Sequence, residues 1–458
     1  MSAINPQLFR SYSIRGDADR DLTDDVVSRI GQAIGSFFRE RGGQRLVVGR
    51  DGRLSSARIS QQLIAGLLQA GLSVVDVGAV PTPVHNFATD WYHADGGVMI
   101  TASHNPADQN GLKLRGQHTL SEAELQEIYR LACAMHSPTQ LQPIADGRLE
   151  QADAIPSYLE VLAAEARFAR RLKVVVDGGH GMNGPLVSRL LRQLGCEVVE
   201  LFCQIDGHFP GRDPDPTAPD ALDALSAVVR QTRADVGLAY DGDGDRLAVV
   251  DEQGQRIWGD YVLMLLARQE LARAPASIVY EVLCTQALAD DVLAHGGRPI
   301  RTACGYAFVH QAVLENQAPL GGELSGHLFF NRPHFRFDDA ILGSIELLNL
   351  LSADVEPLSA RLAQLPRYYA SPPMRLPCTD AVKGQVVGQI KRHFEADWPV
   401  DELDGVRIDF GDGWALVRAS NTQPALSLRF EARTQARLEE LTRLVLDQVQ
   451  HWIAAYGG

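Results

Sequence analysis

The sequence has few cysteines and no long hydrophobic run, and each absence excludes a class of protein. Its six cysteines are scattered along 458 residues without a Cys-x-x-Cys motif, so neither a disulfide framework nor a zinc site is indicated. Residues 1–10 carry no apolar stretch, so we expect no secretory signal. No run approaches the roughly 20 apolar residues of a transmembrane helix. We therefore expect a cytoplasmic protein with reduced thiols.

Positive charge is also scarce. Lysine and arginine total 43 against 57 acidic residues, for a formal net charge of −14, which argues against binding to nucleic acid or to anionic membranes. The hydrophobic content of 45% and charged content of 22% are typical of a globular protein. An anionic substrate would need basic residues that are gathered locally in one pocket.

One pattern recurs three times: an apolar strand, a helical segment, a glycine and a second strand. The copies span about 46–78, 173–202 and 277–301. This order is typical of strand–helix–strand units in a mostly parallel sheet. After 373 the pattern changes to short alternating strands and two helices, which predicts an α+β domain.

Clusters of proline, glycine and polar residues mark the breaks between these parts. We predict domains at 1–147, 148–254, 255–366 and 367–458.

A short polar loop follows the apolar run 97–100 and contains a candidate nucleophile. The loop is Thr101-Ala-Ser-His-Asn-Pro106, in which Ser103 offers a hydroxyl and His104 a proton shuttle or phosphate contact. Because the run reads as a buried strand, Ser103 would lie at a strand end, where α/β proteins place their sites. A plain turn closed by Pro106 is the alternative.

Three carboxylates alternate with glycines in the segment Asp241-Gly-Asp-Gly-Asp-Arg246. On an extended chain, alternate residues point the same way, so Asp241, Asp243 and Asp245 would repel one another unless a cation lies among them. Hard cations such as Mg²⁺ prefer such oxygen ligands. A calcium loop of the EF-hand type is disfavoured because Arg246 stands where that loop needs glycine. A solvated acidic turn stays open.

Two further loops carry polar residues in patterns suited to ligand contacts. In 321–327, Glu323, Ser325 and His327 occupy every second position, which suits hydrogen bonds to adjacent sugar hydroxyls. In 418–422, arginine, serine, asparagine and threonine make a good oxyanion cradle. Each loop alone is also compatible with an ordinary turn.

A phosphorylated serine needs a divalent cation to neutralise and polarise it, so Ser103 and the three aspartates together indicate phosphoryl transfer through a phosphoserine. Lys113 is suited to stabilise charge on the transferring group. Tyr12 and Arg15 are polar candidates nearer the N-terminus. Each of these three alone would read as a solvated surface residue.

These segments occur in the order of one known family. The chain resembles the α-D-phosphohexomutases, specifically the bacterial phosphomannomutase/phosphoglucomutase group, over essentially its whole length. The matching segments are 9–16, 101–106, 241–246, 323–327 and 418–422. The resemblance implies three similar mixed α/β domains plus a smaller C-terminal α+β domain around a central cleft. It also implies that hexose 1-phosphate and hexose 6-phosphate interconvert through the phosphoserine and a hexose 1,6-bisphosphate.

The resemblance assigns roles residue by residue. Ser103 is the phosphorylated serine, and Asp241, Asp243 and Asp245 hold Mg²⁺ together with an oxygen of that phosphate. The residues expected to support the transfer are Tyr12, Arg15, His104, Lys113 and Arg246. The residues expected to bind the substrate are Tyr12, Tyr306, Glu323, Ser325, His327, Arg418, Ser420, Asn421 and Thr422. The last four grip the phosphate that does not react.

The chain departs from the family pattern at two positions. A lysine is common where Leu283 stands, and a histidine is common where Tyr306 stands. Because the family uses those side chains near the sugar and in acid–base work, the identity of the general base stays open. We expect a narrowed substrate range, in which glucose phosphates are favoured over mannose phosphates.

The expected cofactors are Mg²⁺ and hexose 1,6-bisphosphate, the latter as activator and intermediate. The expected partner is a phosphosugar, with no nucleic acid, no membrane and a monomeric state. A cleft that closes through a hinge at about 366–373 would protect the phosphoserine from water. The alternatives are a phosphoglucosamine-type mutase, a phosphatase and a non-catalytic sugar-phosphate-binding protein.

Overall fold

The computed structural model describes residues 3–135, 147–420 and 424–457, and the chain divides into two compact units. The first unit comprises Met1–Val262 and Ser325–Leu362, and the second comprises Leu263–Leu324 and Ala363–Gly458. The chain therefore passes between the units three times. Among the described residues, none of the helices is both long and apolar enough to cross a membrane.

A mixed six-stranded sheet begins the first unit, after a 3₁₀ turn at Pro6–Leu8. Its strands are β1 (Ile14–Asp17), β2 (Arg45–Arg50), β3 (Ser73–Ala79), β4 (Gly96–Ile100), β5 (Gln109–Arg115) and β6 (Leu149–Gln151). They lie in the order β1-β5-β4-β2-β3-β6. The neighbours β4, β2, β3 and β6 are parallel, whereas β5 pairs antiparallel with both β4 and β1.

The helices of this part are α1 (Asp24–Glu40), α2 (Ser56–Gln69), α3 (Thr82–Trp91) and α4 (Glu122–Ala134). Apolar residues recur at helical spacing along α1, and its buried stripe packs with that of α2 into the core beside the sheet. The two helices approach closely at Gly31 and Gly66. A Cβ on Gly66 would lie 2.3 Å from the Ser28 carbonyl oxygen, so this crossing requires glycine.

The second sheet, of five strands, also belongs to the first unit. Its strands are β7 (Lys173–Asp177), β8 (Glu197–Leu201), β9 (Val236–Tyr240), β10 (Leu247–Asp251) and β11 (Arg256–Ile257). They lie in the order β11-β10-β9-β7-β8, with β7, β8 and β9 parallel. The accompanying helices are α5 (Ile155–Ala163), α6 (Asn183–Gln193) and α7 (Asp223–Thr232). The next helix, α8 (Gly259–Arg273), begins in the first unit and continues into the second.

Three parallel strands of a third sheet lie in the second unit. These strands are β12 (Ser277–Glu281), β13 (Arg298–Thr302) and β14 (Leu320–Gly322), accompanied by helices α9 (Gln286–Ala294) and α10 (Tyr306–Glu315). The chain then returns to the first unit with β15 (Leu328–Phe330), α11 (Ala340–Ser352) and α12 (Leu358–Ala363).

Helix α11 completes the core of the first unit. The hydroxyl oxygens of Ser344 and Tyr240 lie 2.6 Å apart. Asp339 accepts a hydrogen bond from the Tyr158 hydroxyl. Asp339 also caps the helix by accepting from the backbone N–H groups of Ile341 and Leu342. Burial raises the pKa of Asp339 to about 7.

The C-terminal part of the second unit is an antiparallel sheet with two helices. Its strands are β16 (Tyr369–Ala370), β17 (Met374–Pro377), β18 (Val400–Asp401), β19 (Val406–Asp409), β20 (Gly413–Ala419) and β21 (Ala425–Ala432). The helices are α13 (Lys383–Phe394) and α14 (Gln435–Ala455). Apolar side chains from both helices and the sheet form one core.

The predicted fold class, three α/β domains followed by a smaller α+β domain, is confirmed. All three strand–helix–strand copies lie within a few residues of their predicted positions. The segment 366–373, predicted as a hinge, carries the short strand β16, because Tyr369 and Ala370 pair with β21. Its role as a hinge stays a prediction.

Candidate active site

Ser103 is buried in the loop that directly follows β4, at the strand end predicted for it. Its side chain is almost fully buried, and its backbone has φ +53°, a left-handed conformation that is uncommon for a non-glycine residue. The Ser103 N–H donates to Thr101 Oγ1 over 2.7 Å. Such strain persists only where the surrounding structure enforces it, and it frequently marks a functional residue.

A buried arginine that the sequence interpretation missed holds this loop in place. Arg53 follows β2, and none of its side chain is exposed to solvent. Its guanidinium donates to the carbonyl oxygens of Ser103 (2.8 Å), Asn105 (2.6 Å), Pro106 (2.6 Å) and Gln109 (3.0 Å). It also pairs with Asp51 at 3.2 Å. The planar fork of arginine can serve several acceptors at once, which a lysine cannot do.

The three aspartates of the second segment converge, although not on an extended chain. All three are buried, and their ligand oxygens lie within 4.8 Å of one another. The expectation of an extended strand is wrong, because the chain turns at Gly244, where φ is +80°. Asp241 Oδ1 closes the turn by accepting from the N–H groups of Gly244 and Arg246. The turn lies against the Ser103 loop, because a Cβ on Gly242 would be 2.6 Å from the Ser103 carbonyl oxygen.

The nucleophile candidate contacts this carboxylate cluster directly. The Ser103 hydroxyl donates to Asp241 Oδ2 over 2.8 Å. Burial raises the pKa of Asp241 well above its usual range, and the neighbouring carboxylates of Asp245 and Asp243 raise it further. A cation among the three carboxylates would relieve this repulsion.

Lys113, on β5, lies against the same cluster. Its ammonium donates to Asp243 Oδ2 over 2.7 Å and also to Asp245 Oδ2. Burial by itself lowers the pKa of Lys113, but the two carboxylates outweigh burial and raise it above its usual value. For Asp245, burial acts in the opposite direction and raises the pKa. The positive charges of Lys113 and His327 outweigh burial and hold the pKa of Asp245 well below its usual range. Lys113 is therefore a charged partner of the aspartates.

The cluster fits a divalent cation by its donor chemistry. Carboxylate oxygens are the ligands that hard cations prefer. Asp243 Oδ1 is buried and accepts no hydrogen bond, and a buried oxygen of this kind is costly unless something binds it. Asp241, Asp243 and Asp245 would thus hold the cation next to Ser103.

His327 and Arg246 lie beside the aspartates. His327 Nε2 is 3.2 Å from Asp245 Oδ1 and 3.9 Å from Asp338 Oδ2. Arg246 Nε is 3.4 Å from His327 Nε2 and 3.9 Å from Asp241 Oδ2. His327 was expected to bind sugar hydroxyls, and it lies against Asp245, a member of the aspartate cluster; its role in sugar binding stays a prediction. Asp338 was not anticipated.

Arg15 and His104 both reach the Ser103 loop. Arg15, on β1, donates to the Ala102 carbonyl at 3.1 Å and to Asn105 Oδ1 at 3.2 Å. His104 Nδ1 lies 3.2 Å from Ser103 Oγ. Tyr12 is half-buried just before β1.

The remaining residues expected to bind the sugar do not all belong to the same unit. Ser325 belongs to the first unit, and its hydroxyl lies 3.4 Å from His327 Nδ1. Glu323 belongs to the second unit, where it is buried and accepts from the Gly305 N–H at 2.9 Å. The half-buried Tyr306 opens α10 directly after that glycine.

Glu281, at the end of β12, is a second buried acid beside Glu323. It accepts from the backbone N–H groups of Leu283 and Leu324. Burial, together with the charge of Glu323, raises the pKa of Glu281 to about 7. The Leu283 side chain, two residues after Glu281, is 9% exposed.

The predicted phosphate loop begins at the end of β20. Arg418 is buried, and its Nε donates to Asp404 Oδ2 at 2.8 Å. The Ser420 carbonyl accepts from Lys383 Nζ at 2.6 Å, which brings a second cation to this loop. Asn421 and Thr422 lie outside the described residues.

Models of one protein family match most of the chain. Domain models of phosphoglucomutase/phosphomannomutase cover residues 6–137 (alpha/beta/alpha domain I), 153–254 (domain II), 258–369 (domain III) and 374–448 (C-terminal domain).

Individual proteins resemble it over nearly their whole lengths. The phosphomannomutase/phosphoglucomutase of Pseudomonas putida is 39% identical, over 96% of this chain and 95% of that protein. The phosphoglucomutase of Neisseria gonorrhoeae is 38% identical, over 96% of each chain. A solved phosphoglucomutase/phosphomannomutase family protein from Burkholderia thailandensis superposes with a TM-score of 0.89 at 38% identity, covering 99% of this chain and 98% of the other. The chain therefore belongs to the phosphoglucomutase/phosphomannomutase family, a branch of the α-D-phosphohexomutases.

Proposed function

We propose that this protein interconverts hexose 1-phosphate and hexose 6-phosphate by reversible phosphoryl transfer through Ser103. The observation that carries the proposal is the contact between the Ser103 hydroxyl and Asp241, one of three buried aspartates whose oxygens converge. A hydroxyl nucleophile beside a cation site is the arrangement that phosphoryl transfer requires.

In the forward step, phosphorylated Ser103 gives its phosphoryl group to the free hydroxyl of a hexose monophosphate. The bond between phosphorus and Ser103 Oγ breaks, a bond to the sugar oxygen forms, and the proton of the sugar hydroxyl passes to a base. The resulting bisphosphate reorients and returns its other phosphate to Ser103. His104 and His327 are the nearby groups able to accept a proton.

Mg²⁺, held by Asp241, Asp243 and Asp245, would supply Lewis-acid polarisation of the transferring phosphoryl group. The chain's own cations contribute alongside it. Arg246 and Lys113 lie against the aspartates and are suited to stabilise charge on the equatorial oxygens.

Glu323 and Ser325 are proposed to bind sugar hydroxyls, and Arg418 and Ser420 are proposed to bind the phosphate that does not react. Asp404 supports this role of Arg418, because it orients the guanidinium by accepting from Nε at 2.8 Å. Glucose phosphates are the preferred substrates in this proposal, because Leu283 and Tyr306 replace side chains that the family commonly uses near the sugar.

The test is intact mass of the purified protein together with a Mg²⁺-dependent assay for conversion of glucose 1-phosphate to glucose 6-phosphate. We expect a phosphate increment of about 80 Da that disappears, together with the activity, in Ser103→Ala. Ser188→Ala, which removes another buried serine hydroxyl, should keep both. Turnover that survives in Ser103→Ala would contradict the proposal.

The same assay separates the competing functions. Release of inorganic phosphate without isomerisation would identify a phosphatase. Faster conversion of glucosamine phosphates than of glucose phosphates would identify a phosphoglucosamine-type mutase. Binding of glucose 1-phosphate without any turnover would identify a non-catalytic binding protein.

A further inference from the structure

Thr82, the first residue of α3, contacts the middle aspartate of the cluster. Its hydroxyl donates to Asp243 Oδ2 over 2.7 Å, although 161 positions separate the two residues. Thr82 is 3% exposed and Asp243 is fully buried, so water does not compete for this bond. The contact joins the first sheet's helix layer to the loop that follows β9.

The two carboxylate oxygens of Asp243 differ in their hydrogen bonding. Oδ2 accepts from both Thr82 and Lys113, each at 2.7 Å. Oδ1 is buried and accepts no hydrogen bond. A carboxylate that is fixed through one oxygen presents the other in a single direction, which is how partners beyond the metal ligands orient those ligands.

The backbone at this point is held as well. The first N–H groups of a helix have no partner within the helix, and the N–H of Thr82 donates to the Asp243 carbonyl at 2.9 Å. On the next residue, the Gly244 carbonyl accepts from Asn183 Nδ2 at 2.8 Å. The turn that carries Asp243 is therefore anchored by the starts of two helices, α3 and α6.

We propose that Thr82 is a positioning residue for the cation site: its hydroxyl fixes the Asp243 carboxylate so that Oδ1 faces the cation. This inference rests on the proposed cation site, and it adds to that site a residue from outside the aspartate segment. Lys113 binds the same oxygen, but its charge opposes a cation nearby. Thr82 is neutral and can keep its bond whether or not the cation is present.

The test measures cation binding directly, using Mn²⁺ as the probe and the electron paramagnetic resonance signal of the free ion as the readout. Thr82→Val keeps the shape of the side chain and removes the hydroxyl, so the Kd for Mn²⁺ should rise about 10-fold or more. Thr82→Ser restores the hydroxyl and should bind Mn²⁺ within about threefold of the parent protein.

Thr89→Val is the matched control. Thr89 is also buried in α3, and its hydroxyl donates only to the His85 carbonyl at 2.9 Å, so its loss should leave the Kd unchanged. Equal Mn²⁺ affinity in Thr82→Val and the parent would overturn the positioning role and leave the cation site standing. Equal weakening in Thr82→Val and Thr89→Val would also overturn it, since a general disturbance of α3 would then be the cause. Absence of Mn²⁺ binding to the parent would reject the cation site itself and the inference with it.

Discussion

The Ser103 hydroxyl and the Asp241 carboxylate lie 2.8 Å apart, oxygen to oxygen, across 138 positions of the chain. One follows a strand of the first sheet and the other follows a strand of the second. Because each residue sits in a short loop at the end of a buried strand, the two sheets fix the distance between them. The geometry of the proposed reaction is therefore a property of the packing of the first unit.

Replacing Arg53 should damage catalysis more than binding. Arg53→Lys keeps the charge but cannot serve four carbonyl oxygens, so the Ser103 loop should relax from its left-handed conformation. We expect kcat to fall about 100-fold with little change in KM, as expected for a misplaced reacting group. The free energy of unfolding should drop by about 2 kcal/mol, because buried carbonyls lose their donor.

Steady-state kinetics and urea unfolding check this prediction. Arg29→Lys is the control, because Arg29 is another buried arginine that donates to a backbone carbonyl, that of Ala132, away from Ser103. Its variant should lose stability and keep kcat. A normal kcat in Arg53→Lys would show that the loop does not depend on the guanidinium.

Removing the Lys113 ammonium should make the protein depend on a divalent cation for stability. In Lys113→Met the buried carboxylates of Asp243 and Asp245 lose the ammonium that neutralises them, and we expect the free energy of unfolding to fall by about 3 kcal/mol without Mg²⁺. Added Mg²⁺ should raise the Tm of the variant more than that of the parent, because binding to the folded state alone stabilises it.

Thermal unfolding with EDTA and with Mg²⁺ provides the comparison. Lys173→Met removes a half-exposed lysine that pairs with Glu197 at 3.0 Å, and such a pair contributes little. If Lys113→Met and Lys173→Met respond alike to Mg²⁺, the proposed neutralisation of the aspartates by Lys113 is wrong.

The buried acid Glu281 should make stability fall as pH rises. Burial, with the nearby charge of Glu323, raises its pKa to about 7 in the folded protein, against about 4.3 in an unfolded chain. Between these values the folded protein keeps a proton that the unfolded chain releases, so folding becomes less favourable as pH increases and the loss is complete above about 7. The size of this loss is up to about 4 kcal/mol.

Glu281→Gln removes the titration. The stability of the variant relative to the parent should therefore improve from pH 5 to pH 8 in urea unfolding followed by tryptophan fluorescence. The same substitution at the exposed Glu315, in the same unit, should show no such trend. A pH-independent difference for Glu281→Gln would mean that its carboxylate is already ionised at pH 5.

Restoring the family's usual side chains should widen the substrate range. In the parent protein we expect kcat/KM for glucose 1-phosphate to exceed that for mannose 1-phosphate by about 10-fold, and in Leu283→Lys/Tyr306→His we expect the ratio to approach one. Differences of this size are typical of one or two contacts in a pocket. Leu293→Lys adds the same charge at an exposed leucine of α9 and should leave the ratio unchanged. Equal kcat/KM for the two sugar phosphates in the parent protein would contradict the proposed preference for glucose phosphates.

The sequence was sufficient for features that are local in the chain. The strand–helix–strand copies, the loop with Ser103 and the three aspartates all depend on short-range patterns, and the structure confirms where they lie. The convergence of the three aspartates was predicted from an extended chain, and this reason was wrong. The chain turns at Gly244 in a left-handed conformation, which the alternation of aspartate and glycine does not reveal.

Residues that act through distant contacts could not be found in this way. Arg53 reads as a polar residue after a strand, and Thr82 reads as an ordinary helix start after Pro81. Each acquires its role from a loop that is far away in sequence. His327 was placed with Glu323 because they are neighbours in the chain, yet its partner Asp245 lies 82 positions earlier.

The threefold passage of the chain between the units has a consequence for how the protein is made. The second sheet is synthesised early, but the hydroxyl of its buried Tyr240 meets Ser344 only after another 104 residues have been added. During synthesis, a nascent chain that ends before α11 must carry this sheet with part of its apolar face still exposed. The early product is thus an incomplete folding unit, and neither unit can be obtained by cutting the gene at one place.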